Sequence, residues 1–185
     1  MRKLIVSAWV SLDGIFDAEL MNEWFNPFDS TARQEYIRDG ILSADAFMFG
    51  RNTYQMLAPY WSSLKNNEMG VADKLNNAPK YVASKTLESA DWSNSTIIGE
   101  NLIEEINQLK QQPGSEIQIE GSGDLVASLL KDDVVDELHL LVHPVIMGTG
   151  KRFFKDGVTV PALKLIKTVP IDKGVIALYY QVVKG

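Results

Sequence analysis

Short runs of apolar and β-branched residues recur along the chain, separated by stretches whose apolar positions fall at helical spacing. Residues 2–10 form the first such run, and 46–49, 80–83, 96–98 and 116–119 repeat its character, which predicts five strands. Helical patterns fill the intervals at 30–41, 53–61, 102–111 and 124–130, with Pro113 and Gly114 ending the third. Short apolar strands alternating with helices predict a mainly parallel α/β sheet. The last third changes rhythm. Residues 135–142, 162–168 and 174–183 supply three strands with little helix between them, and the turn from Pro170 to Gly174 predicts a hairpin. The sheet is therefore expected to finish antiparallel. No internal repeat, low-complexity tract or long linker divides residues 1–185, so a single domain is expected.

Composition narrows the chemistry. With 185 residues, 45% hydrophobic and 23% charged, the chain has the make-up of a globular domain. It contains no cysteine, so disulfides, thiol nucleophiles and cysteine metal sites are excluded. A net charge of −6 argues against a nucleic-acid partner, which a basic face would have to bind. No apolar run is long enough to span a membrane, and Asp13 interrupts the amino-terminal run too early for a signal peptide, so a cytoplasmic protein without membrane partners is expected. Charge is uneven: residues 151–185 carry seven basic and two acidic side chains, the first 150 carry 11 and 22. The basic tail reads either as a solvated edge or as a surface that attracts anions.

Four segments carry candidate chemistry. In Phe49-Gly50-Arg51-Asn52-Thr53-Tyr54 a strand passes through glycine into a helix, an arrangement that aims free N–H groups and a helix dipole at an anion. Arg51 would supply a phosphate fork and Thr53 a hydroxyl; the plain alternative is an ordinary turn capped by Thr53. In Ile117-Gln-Ile-Glu-Gly121-Ser122-Gly123-Asp124-Leu125 a second strand ends in a small-residue loop with room for a pyrophosphate. It lacks the third glycine of the dinucleotide fingerprint, because position 126 is valine. Ser84-Lys85-Thr86 follows a third strand, where ligands of open α/β sheets collect, or is a solvated loop. Finally, Asp13 with Gly14 and Asp29 with Ser30 read either as turn and helix caps or as carboxylates beside an aromatic floor at Trp24 that fix or protonate a heterocycle. His139 and His143 read as packing residues, and no hydrolase nucleophile motif occurs.

Taken in order, Ser-Leu-Asp-Gly at 11–14, Gly-Arg-Asn-Thr-Tyr at 50–54, Ser-Lys-Thr at 84–86, Gly-Ser-Gly at 121–123, Val-Asp-Glu-Leu-His-Leu at 135–140 and Pro-Val-Ile-Met-Gly-Thr-Gly-Lys-Arg-Phe-Phe at 144–154 resemble the dihydrofolate reductase-like superfamily. The resemblance is closest to the branch of the C-terminal reductase domain of bacterial riboflavin biosynthesis. It implies a three-layer α/β fold: a mixed, mostly parallel sheet of about eight strands with an antiparallel C-terminal hairpin and helices on both faces. It implies NADPH as hydride donor, a small heterocyclic or carbonyl substrate and a homodimer joined through the last strands. Carried over by position, Gly50, Arg51, Asn52 and Thr53 would meet the cofactor phosphates, Ser84 and Lys85 the adenosine 2′-phosphate, and Gly121, Ser122, Gly123, Asp124 and Leu125 the pyrophosphate. On the substrate side the resemblance points to Asp13, Trp24, Asp29 and Tyr54. Asp13 or Asp29 would handle the proton, with water as an equal candidate. The competing reading from another class is a nucleotide-binding or regulatory module that keeps the cleft without turnover.

Overall fold

The computed structural model describes residues 1–159 and 162–184. Strand β1 (Lys3–Ser11) leads through a short helix α1 (Met21–Trp24) and helix α2 (Thr31–Ser43) to β2 (Ala46–Gly50). Helices α3 (Arg51–Ser63) and α4 (Ala72–Asn77) connect to β3 (Lys80–Ala83), which is followed by β4 (Ser95–Ile98). Helix α5 (Leu102–Gln111) leads to β5 (Glu116–Ile119), and α6 (Gly123–Lys131) to β6 (Glu137–His143). The chain ends in β7 (Ala162–Pro170) and β8 (Ile176–Val183). All eight strands form one sheet in the order β4-β3-β2-β5-β1-β6-β8-β7. The first six run parallel; β8 joins β6, and β7 joins β8, antiparallel. The expected mixed sheet and terminal hairpin are both present.

Alternation along each strand assigns its side chains to opposite layers. Leu4, Val6, Ala8 and Val10 of β1 join Ile106 and Leu109 of α5 and Val126 and Leu129 of α6 in the main core. Phe47 and Phe49 of β2 point the other way and pack with Tyr54 of α3, Leu75 of α4 and Trp92. Helices on both faces leave the central strands as continuous apolar runs, and β2 is buried at every position.

Helix α4 was not legible from periodicity, and a buried lysine terminates it. Lys80 is fully buried, and its Nζ donates to the carbonyls of Leu75 at 2.6 Å, Ala78 at 2.8 Å and Asn76 at 3.2 Å. The ammonium lies 4.7 Å from the centre of the Trp92 ring. Burial pulls its pKa down to about 8, while the carbonyls and the ring face favour the charged form. Each of these acceptors belongs to the end of α4, where a helix leaves carbonyls without intrahelical partners.

The hairpin end of the sheet is different. β7 is exposed along nearly its whole length, with an irregularity between Leu165 and Lys167. A bulge and lysines on an edge strand oppose edge-to-edge pairing.

Replacing Lys80 by methionine keeps the volume of the stem but strands three carbonyls. Urea unfolding is expected to show a loss of about 1–3 kcal/mol, and an unchanged midpoint would refute the capping role.

Candidate functional site

Strand β2 leads outward through α3 and α4 to β3, whereas its neighbour β5 leads through α6 in the opposite direction to β6. Adjacent strands whose crossovers diverge leave a crevice at their carboxyl ends, the usual ligand position in an open α/β sheet. The two glycine turns stand on either side of it. They touch: the Gly50 N–H donates to the Gly121 carbonyl at 2.9 Å. The Gly121–Ser122 peptide is cis.

No larger residue fits this contact. A methyl group on Gly50 would lie 2.8 Å from Ser122 Oγ, and one on Gly121 would lie 3.3 Å from both the Phe16 ring and Thr53 Oγ1. Gly121 also holds φ at +114°, a left-handed conformation that side chains oppose. Gly50 precedes α3 without capping its first turn through a side chain, so the leading N–H groups of that helix retain no side-chain acceptor. On the other side Ser122 Oγ accepts from the Leu125 N–H at 3.4 Å at the start of α6. Asp124 pairs with Lys155 at 3.3 Å, and Leu125 is buried in the core.

The turn after β3 reaches the same rim. Arg51 Nη1 donates to Thr86 Oγ1 at 2.6 Å, and Ser84 Oγ accepts from the N–H groups of Thr86 and Leu87. Lys85 is exposed and makes no hydrogen bond or ion pair among the described residues. Asn52, next to Arg51 in sequence, is exposed, while Thr53 is buried. Gly50, Arg51, Thr53, Gly121 and Ser122 are thus brought together, with Ser84 and Lys85 tied to them through Arg51 and Thr86.

The expected substrate floor is not assembled. Trp24 is only 2% exposed; its Nε1 donates to the Asp17 carbonyl and its ring stands edge-on to His143 and Phe25. Asp29 faces outward, paired with Arg33 at 2.8 Å and accepting from Gln34, and both partners hold its carboxyl below the usual range. Tyr54 is buried in the β2 core, where its hydroxyl accepts from the Trp92 N–H at 2.9 Å. Asp13 accepts from Ser11 Oγ at 2.6 Å and from the N–H groups of Gly148 at 2.8 Å and Met147 at 3.1 Å, which hold its pKa at about 2. A carboxylate so supplied with donors stays ionised at neutral pH and serves as a clamp between the loops after β1 and β6. Asp17 repeats the device by accepting from the Lys151 N–H. The expectation that Asp13 or Asp29 handles the proton therefore does not fit their surroundings.

The space between α1, α2 and the end of β6 is filled instead by Arg33. It is nearly fully buried, donates to the Phe25 carbonyl at 2.5 Å, lies 3.3 Å from His143 Nε2 and covers the Phe25 ring at 3.9 Å. Burial lowers His143 to about 4, so it is neutral there and packs, as expected from sequence. His139 likewise pairs with Glu137 at 2.8 Å.

One acid was overlooked. Glu120 stands directly before Gly121 and lines a cavity of about 270 Å³ between α2 and the sheet. Burial pushes its carboxyl up to about 7, against the opposing effect of a hydrogen bond from Gln118. The signal in sequence was the alternation Glu116, Gln118, Glu120 along a central strand, which places these polar groups on one face. Among the described residues no cluster of histidine and acidic side chains suits a metal, and no helix is long and apolar enough to cross a membrane.

Comparison with known proteins agrees with this architecture. The chain is 28% identical over 185 residues to the uncharacterized protein YyaP of Bacillus subtilis strain 168, covering 97% of this chain and 95% of the relative. It is 29% identical over 178 residues to the uncharacterized YwjB of the same organism, covering 94% and 95%. Among solved structures it resembles a putative riboflavin biosynthesis protein from Shewanella sp. PV-4, with a TM-score of 0.73 at 20% identity over 98% of this chain and 99% of that one. A pyrimidine reductase-like protein from Corynebacterium diphtheriae follows at 0.70 and 16% identity, covering 100% and 93%. RibD from Acinetobacter baumannii gives 0.66 at 16% identity, with all of this chain matching 59% of that one. The family model described as RibD C-terminal domain matches residues 2–177, and the chain belongs to that reductase-like family.

Proposed function

We propose that the protein is an NADPH-dependent reductase that passes hydride to a small heterocyclic or carbonyl acceptor. The observation that carries this reading is the contact of the two glycine turns, Gly50 N–H to Gly121 carbonyl at 2.9 Å, across the β2–β5 crevice. The residues fit a dinucleotide. Gly50 and Gly121 leave no side chain between the turns, and the free N–H groups at the start of α3 suit a phosphate. Arg51, Asn52 and Thr53 would hold one phosphate at α3, and Gly121 to Leu125 the pyrophosphate at α6. Arg51, Ser84 and Lys85 form the group that would reward a further phosphate on the adenosine ribose.

Bound there, the nicotinamide would supply the hydride; the protein orients the reactants and excludes water. The walls are rigid because Asp13 and Asp17 bind the loops after β1 and β6 to each other. Glu120, with a pKa near neutrality and a place beside the Gly121 turn, is the acid best suited to hold the accompanying proton. Its protonated form delivers the proton at its carboxyl oxygen, and Gln118 fixes the orientation of that carboxyl.

The resemblance also supports a homodimer through the hairpin, where Leu163, Leu165 and Ile166 of β7 are exposed. Sedimentation should give twice the chain mass of 20.6 kDa; a monomer at micromolar concentration would remove this partner.

Calorimetric titration with NADPH tests the central claim, and absence of binding at submillimolar concentration would overturn it. Lys85→Ala is expected to weaken NADPH roughly tenfold, the loss of about one charge-assisted contact, and to leave NADH nearly unchanged. Equal losses would cancel the phosphate role.

Because Glu120 is raised from 4.5 to about 7 in the folded chain, the native state holds its proton more tightly than the unfolded state between those values. Its contribution is full below pH 4.5 and disappears as pH rises through 7. Urea midpoints should fall from pH 5 to pH 8 more in the wild type than in Glu120→Gln. In turnover, kcat/KM should decline above about 7, and Glu120→Gln should lose that limb of the profile; an unchanged limb would exclude Glu120 as the acid.

A further inference from the structure

Neighbouring parallel strands need a crossover between them, and the crossover is usually a helix that covers the sheet. β3 and β4 are parallel neighbours, yet residues 84–94 between them contain no helix. Side chains of the connection itself take over the covering role. Leu87 and Ala90 pack on the cluster of Phe47, Phe49 and Tyr54, and Trp92 is part of it. Trp92 is only 3% exposed; its ring stacks on Phe49 at 5.8 Å and lies 6.2 Å from the ring of Tyr54.

Without a helix the backbone N–H groups of the connection must find partners elsewhere. The Ser84 N–H donates to the Ile98 carbonyl at 2.9 Å, and Ser84 Oγ accepts from Thr86 at 3.2 Å and Leu87 at 3.0 Å. From 88 to 91 no N–H group has an acceptor among the described residues. The next bonded group is the buried N–H of Trp92, which donates to the Tyr54 hydroxyl at 2.9 Å. The indole Nε1 of Trp92 donates to Asn76 Oδ1 of α4 at 2.7 Å. Trp92 is thus fixed to α3 through its backbone and to α4 through its ring.

Helix α3 therefore holds the connection at two points. Arg51 grips Thr86 at the rim, and Tyr54, three residues later and on the same side of the helix, grips Trp92 in the core. Lys85 makes no bond of its own among the described residues, so its backbone alone decides where its ammonium can reach. A charge-assisted bond to a phosphate oxygen requires an approach to about 2.7–2.9 Å. Small shifts of the connection would forfeit it.

We propose that Tyr54 is a positioning residue: by holding Trp92 it sets the course of residues 84–92, and so decides whether Lys85 meets the phosphate that distinguishes NADPH from NADH. Tyr54 is only 4% exposed and acts from inside the core, through its hydroxyl oxygen. Phenylalanine fills the same space and lacks that acceptor, which leaves a buried N–H without a partner. In naming the cofactor the inference rests on the NADPH reading; the tether between α3 and the connection does not.

Hydrogen exchange on the ligand-free full chain tests the tether. In Tyr54→Phe the Trp92 amide should exchange at least about tenfold faster, while the amides of Phe47 to Phe49 keep their wild-type rates. Titration calorimetry tests the consequence. Tyr54→Phe should weaken NADPH by about five- to tenfold and NADH by less than about twofold. Combined with Lys85→Ala it should bind NADPH no more weakly than Lys85→Ala alone, because a displaced lysine and a missing one cost the same contact. Asn76→Ala, which frees the indole end of Trp92, should shift the ratio of the two affinities in the same direction. Unchanged Trp92 exchange, equal losses of NADPH and NADH, or losses that add to those of Lys85→Ala would overturn the inference. NADPH binding by the wild type with an unchanged affinity ratio in Tyr54→Phe defeats this inference alone. Failure of the wild type to bind NADPH defeats the reductase reading and with it the role of Lys85, and Trp92 exchange then decides whether the tether stands.

Discussion

The hydrogen bond from Gly50 to the Gly121 carbonyl joins two turns that are 71 positions apart in the chain, and the architecture of the rim follows from it. Two crossovers that leave neighbouring strands in opposite directions separate their helices, so the strand ends between them lie open. The turns can approach to hydrogen-bond distance only without side chains, since a methyl group on Gly50 would overlap Ser122. The starts of α3 and α6 are thereby brought next to each other. The glycines therefore act by what they omit. This sets them apart from Gly14, where an added methyl group would meet nothing and the left-handed φ of +81° is the only demand.

Around that contact, carboxylates secure loops. Asp13 collects two N–H groups from the 147–148 turn and Asp17 one from Lys151, while the Phe16 N–H donates to the Lys151 carbonyl between the same two loops. Because a hydrogen bond to a charged acceptor is stronger than one between neutral groups, a few acids hold two long connections without regular structure. Phe16 is thereby placed against Gly121, and the carbonyl of Phe153 against Gly123. Two of the three basic residues of the 151–155 segment acquire acidic partners, Lys151 with Glu19 and Lys155 with Asp124.

Strands were legible in the sequence because buried parallel strands demand unbroken apolar runs, and Ala46–Gly50 is buried at every position. Helix α5, with a clear apolar stripe ending in Pro113-Gly114, was legible to the residue. Helices α1 and α4 were not, since four and six residues complete too few turns for a period to show. The glycine turns could be found because a loop without side chains leaves its mark in composition. Trp24, Asp29 and Tyr54 could not be placed the same way. Whether an aromatic or acidic side chain lines a cleft or fills a core depends on partners distant in sequence, here His143, Arg33 and Trp92. Glu120 escaped notice for a related reason: the cavity beside it is formed by α2, roughly 80 residues earlier in the chain.

The seating of α2 also has a mechanical side. The helix is pinned at its start, where Arg33 reaches Phe25 and His143, and at its end, where Ser43 bonds Glu116 and Ala44 enters the core. Between these anchors Tyr36 and Ile37 pack on the cluster around Leu141 and Val175, whereas a methyl group on Gly40 would meet nothing within 4 Å. Density of contact sets local stiffness, so such a helix yields most in its last turn, around Gly40. Flexure of the last turn of α2 would then leave the glycine rim in alignment, since the rim is held by its own hydrogen bond from Gly50 to Gly121.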